Sequence, residues 1–179
     1  MPKQVTFTPR VVPLHEIAAY HKDVDSSLRL FFTTSNPNFF LRFIGKSQSE
    51  IVAELADRLF ETDLRSSLAI LSRLEAAFRI DYEQRCEKKK HDAISKAFRV
   101  LYIKHRNNVR LEKQIFATWR QKHPETAQLI SELKGAFKFR HWLAHGTHWE
   151  PNLARKYDYE GIYALAGSVL ESFPLLGRN

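Results

Sequence analysis

The chain has 179 residues, 44% of them hydrophobic, enough for one buried core and short of what two independent domains usually need. Its formal net charge of +8 and pI near 9.7 favour polyanionic partners, nucleic acid ahead of an anionic membrane surface, over small acidic substrates. One cysteine, Cys86, excludes an internal disulfide and a multi-cysteine zinc site, and no run approaches the roughly 18 apolar residues of a membrane span.

The N-terminus carries no secretory pattern, so a cytoplasmic protein without membrane contact is expected. Six glycines and seven prolines leave long stretches with neither, which favours helices over the dense turns of a sandwich or barrel. The expectation is a single all-α domain spanning residues 1–179, with residues 1–13 as an extended arm.

After Pro13, the spacing of Ile17, Tyr20, Val24, Leu28 and Phe31 predicts a first helix. Ser35-Asn36-Pro37-Asn38 breaks it, and the apolar run Phe39 to Gly45 is expected to tuck into the core. Ser47 and Glu50 have capping-box spacing, so a second helix starts there and is expected to end near Glu61. A third, longer helix follows, with Leu64, Leu68, Leu71, Glu75, Phe78 and Tyr82 as its stripe. A carboxylate in an apolar stripe needs a partner. Glu75 can pair with Arg79 one turn on at the stripe's edge, or it can point at the cluster around Arg140 and His145.

Glu87 to Asp92 lacks an apolar anchor and reads as a turn. Ile94, Phe98, Leu101 and Tyr102 predict one short helix, and Leu111, Ile115 and Trp119 another after Asn107-Asn108. From Pro124 the chain restarts, and Ile130, Leu133, Ala136, Phe137, Leu143 and Ala144 define the helix that carries the densest chemistry. Glu150-Pro151-Asn152 reads as loop, and Ile162, Leu165, Val169 and Phe173 form a last helix ending before Pro174. The sum is about six or seven helices.

The run from Phe139 to Trp149 holds Arg140, His141, His145 and His148 between Trp142 and Trp149. Arg140 falls at the edge of the buried stripe, and Lys134, Lys138, His141 and His145 form a basic ridge beside it. A guanidinium donates two parallel hydrogen bonds to phosphate oxygens and stays charged at any working pH. A histidine can give or take a proton near neutrality. Together they suffice for metal-free RNA cleavage by the ribose 2′-hydroxyl. His141 and His145 share a helix face but lack the intervening glutamate of a zincin, so no metal is assigned. Histidines here can also cap the last helical carbonyls, and the two indoles read as packing ahead of base stacking.

Arg140-His141-Trp142-Leu143-Ala144-His145-Gly146, late in a helical chain, resembles the signature of the HEPN superfamily: an arginine, a polar neighbour and a histidine just beyond one turn. Leu74-Glu75-Ala76-Ala77-Phe78-Arg79 is similar to an acidic helix of some prokaryotic members. The resemblance implies a HEPN-like helical bundle, a homodimer that brings two motifs together, and metal-independent endoribonuclease activity without a cofactor. It also implies a toxin or phage-defence setting, with an antitoxin or regulatory protein as a further partner. Carried onto this chain, it makes Arg140 the phosphate-holding residue and His145 the general acid or base. His141 takes the polar place beside the arginine, and Glu75 orients Arg140 or a histidine. Lys134, Lys138, Arg79 and His148 are the expected RNA contacts. The alternative is a non-catalytic HEPN module that binds nucleotide, RNA or a partner protein. Residues five apart on an ideal helix diverge by about 140°, so Arg140 and His145 need a distorted last turn or a second chain to meet.

Overall fold

From Lys46 to His123 the chain contains neither glycine nor proline, so nothing in this stretch forces the backbone out of helical geometry. The computed structural model describes residues 12–145 and 156–176. Among these residues there are seven α-helices and no strand: the protein is all-α. They are α1 (Leu14–Phe31), α2 (Phe39–Arg42), α3 (Gln48–Glu87), α4 (Ala93–His105), α5 (Phe116–Lys122), α6 (Ala127–Ala144) and α7 (Tyr159–Ser172). The expected arm lies outside the described residues except for its last two positions. Among the described residues, no helix is long and apolar enough to cross a membrane.

The break expected near Glu61 is absent. Thr62 and Asp63 continue the helix, and α3 runs unbroken for 40 residues, about 60 Å at 1.5 Å per residue. Its start is the expected capping box: the Ser47 hydroxyl accepts from the Glu50 amide, and the Glu50 carboxylate accepts from the Ser47 amide at 2.7 Å. Its end is the lysine run, where Lys89 adopts φ +46°, outside the helical region. Asp92 then caps α4 by accepting from the Ser95 amide at 3.0 Å.

α3 is the spine against which α1, α4, α6 and α7 pack. Its buried face carries Ile70, Leu71, Leu74, Ala77, Phe78 and Tyr82. The aromatic centre is edge-to-face: Phe78 meets Phe116 at 5.0 Å and Phe173 at 5.2 Å, and Trp119 meets Phe173 at 5.2 Å. Ile130, Leu133 and Ala136 of α6 and Ile162 and Val169 of α7 close the core and are fully buried.

The face of α1 is rotated from the expected one. Ile17 is buried as expected and Val24 and Leu28 are half-buried, but Tyr20 is 69% exposed, Phe31 is exposed as well, and His21 takes an inward place. The His21 ring stacks on Tyr159 at 3.6 Å and meets the Ser66 hydroxyl at 3.0 Å. The apolar run after Pro37 does not join the main core. Phe39 and Phe43 bury with Ile51 in a separate small cluster, while Phe40, Leu41 and Ile44 are exposed. A four-residue helix has only one inward edge, so half of an all-apolar run must face out.

The buried carboxylate of α3 is Asp81, fully buried, rather than Glu75. Asp81 accepts from Arg85 at 2.7 Å and from the Leu176 amide at 2.8 Å, and Arg85 donates to the Pro174 carbonyl at 2.7 Å. Arg85 also reaches Asp92 at 3.1 Å, so one i,i+4 pair ties α3 to the start of α4 and to the chain beyond α7.

Candidate functional site

Glu75 and Arg79 lie one turn apart on α3, and their side chains meet at 2.8 Å. The other Glu75 oxygen lies 3.1 Å from the guanidinium of Arg140 on α6. Both readings of Glu75 therefore coexist: it pairs with its helical neighbour and reaches across to the motif arginine. Arg79 is steered further by the Val109 carbonyl at 3.4 Å. The Arg140 Nε is buried, with no hydrogen-bond partner among the described residues.

Above this ion-pair network lies a cleft of about 560 Å³. One wall is α3 with Glu75 and Arg79, a second is α6 with Phe137, Lys138, Arg140 and His141, and the third is the segment Val109 to Lys113. That third wall opens a π-helical turn, Leu111–Ile115, in which the Arg110 carbonyl accepts from both Gln114 and Ile115. The cleft carries five permanent cations, Arg79, Arg110, Lys113, Lys138 and Arg140, against two carboxylates, Glu75 and Glu112. Its apolar floor comes from Val109, Leu111 and Phe137. The balance of charge suits an anion.

The histidines sit at the end of α6. His145 is the C-cap, and its amide donates to both the His141 and Trp142 carbonyls, at 3.1 and 3.3 Å. This shared bond tightens the last turn, and the His145 ring comes to 4.1 Å from the His141 ring. The helix therefore ends at Ala144, which is exposed. His141 lines the cleft and His145 does not.

Of the expected site residues, Glu75, Arg79, Lys138, Arg140 and His141 share one cleft. Lys134, one turn earlier on α6, does not line it. His148 lies outside the described residues, as do Gly146 and Trp149. Trp142 is half-buried and stacks on Phe139 at 5.7 Å, so it serves packing. Arg110 and Lys113 were not expected here, since no sequence spacing relates them to the motif helix; the positive charge after Asn107-Asn108 was the one available signal. Among the described residues, no group of three or more His, Cys, Asp or Glu side chains could hold a metal ion. No family model matches the chain, and no curated protein or solved structure matches it either.

Proposed function

We propose that the chain is a metal-independent endoribonuclease of HEPN type, a toxin or phage-defence effector that works as a homodimer. The observation that carries this reading is Arg140, held by Glu75 at 3.1 Å on the wall of a cationic cleft that His141 also lines, with the His145 ring 4.1 Å from that of His141. In the proposed reaction a histidine takes the proton of a ribose 2′-hydroxyl. The freed oxygen attacks the adjacent phosphorus, and the 5′-oxygen leaves with a proton from a second acid, yielding a 2′,3′-cyclic phosphate and a 5′-hydroxyl. Arg140 bears the charge that builds on the phosphoryl oxygens. A second copy of the motif across a dimer supplies the second proton-transfer group. The test is incubation of the purified protein with mixed cellular RNA in EDTA, with mapping of the cleaved ends. Arg140→Ala and His145→Ala are each expected to slow cleavage by about 100-fold or more while leaving the helical spectrum unchanged; a rate that neither change lowers sinks the proposal.

One observation favours a second reading. Glu75 engages Arg79 and Arg140 at once, the arrangement of a structural ion-pair network. In that reading the cleft binds RNA, a nucleotide or a partner without cutting, and RNA that is bound but left intact by the wild-type protein distinguishes it.

A further inference from the structure

The α3 and α6 walls of the cleft spend much of their positive charge internally, since Glu75 takes both Arg79 and Arg140. The third wall does not. Arg110 and Lys113 are exposed, and neither has a carboxylate partner among the described residues. The backbone that presents them is fixed: the Arg110 amide donates to the Gln114 side chain at 2.5 Å, and the Val109 carbonyl accepts from Arg79 at 3.4 Å. Leu111, buried between them in sequence, anchors the turn in the core. Facing them across the cleft is Lys138, equally exposed and equally without a carboxylate partner. Glu112 on the same wall offsets one of these charges and leaves the rim cationic.

The geometry points to the π-helical turn as a second phosphate-binding rim, on which Arg110 and Lys113 hold the backbone of a single RNA strand on either side of the nucleotide seated at Arg140. This assignment rests on the ribonuclease reading for the identity of the strand and on the cleft alone for the rim. A cleft of about 560 Å³ with apolar lining has room for an unstacked nucleotide. The charges on opposite rims then fall to phosphates of the same strand. Cations without internal partners are the ones whose neutralisation by phosphate releases counterions and sets the salt dependence of binding.

The test uses a short 2′-O-methylated RNA strand, which cannot be cleaved, titrated against the full-length protein over a range of salt. Arg110→Ala with Lys113→Ala is expected to weaken binding about tenfold or more and to flatten the log–log salt slope by about 1.4, two contacts at about 0.7 each. Arg110→Lys with Lys113→Arg should restore both quantities, which separates charge from folding. Lys96→Ala with Lys104→Ala, which removes the same charge from α4, should change either quantity much less. In cleavage of unmodified RNA the loss should fall mainly on KM. Unchanged affinity and slope in the Arg110 and Lys113 variant overturns the rim, as does an equal effect of the α4 pair. A free nucleoside triphosphate that binds as tightly and loses as much overturns the assignment to a strand. Binding that depends on Arg110 and Lys113 with no cutting of unmodified RNA sinks the ribonuclease reading and leaves the rim standing.

Discussion

Glu75 and Arg140 stand on different helices, far apart in sequence, and meet at 3.1 Å with side chains only 20% and 33% exposed. A carboxylate in that position orients the guanidinium and keeps it from folding back along α6. Glu75→Gln should release Arg140 and lower cleavage about 10- to 100-fold, at a stability cost of about 1 kcal/mol, because the pair is partly solvated. Single-turnover cleavage and thermal melting measure the two effects separately. Activity that rises on substitution would mean that Glu75 competes with the substrate phosphate for Arg140.

The two histidines differ in place, and so in expected effect. His145→Ala should cost about 100- to 10,000-fold in rate, the range for a lost proton-transfer group. His141→Ala should cost about tenfold, as a positioning change relayed through the ring contact at 4.1 Å. Rates across pH 5 to 9 for both variants provide the check, and the reverse order would assign proton transfer to His141, which is the ring that lines the cleft.

Asp81 is the stability counterpart of Glu75. Removing its carboxylate leaves Arg85, 5% exposed, without its closest counter-charge and takes an acceptor from Leu176. Asp81→Ala should cost about 3 to 5 kcal/mol, read from the denaturation midpoint. Burial pushes the Asp81 carboxyl above its ordinary value, against the Leu176 amide and Arg85, which favour the charged form. A folded-state pKa above the unfolded one contributes stability that is complete at acid pH and lost as pH rises through the folded value. The stability of the wild type relative to Asp81→Asn should therefore fall as pH rises across that range.

Cys86 offers a probe remote from the cleft. It is half-buried near the end of α3, and burial pushes its thiol up to about 11. Against an ordinary thiol at 9.0, a given pH below both values holds about 100-fold less thiolate. At pH 8 a thiol-specific reagent should modify the native protein about 100-fold more slowly than the urea-unfolded chain. Equal rates would show that α3 frays at its C-terminal end.

The sequence by itself determined the helical class, most of the helix boundaries and the residues of the motif. Capping chemistry and apolar periodicity are local, and Ser47 with Glu50, Asp92, Pro124 and the stripe of α6 act within one or two turns of themselves. On α3 the expected stripe holds at Leu71, Phe78 and Tyr82, which are buried, but at its centre Leu74 and Asp81 are buried and Glu75 lies at the edge. Neighbouring positions on a wide apolar face differ only by what packs against them. Tertiary structure decided that Thr62 does not end a helix, that Phe39 and Phe43 form a cluster of their own, and that the turn from Val109 to Lys113 becomes a wall of the cleft. It also decided the meeting of Glu75 with Arg140. That contact needs α3 and α6 to pack in one register, and a register between distant helices is set by the whole core rather than by the residues that meet.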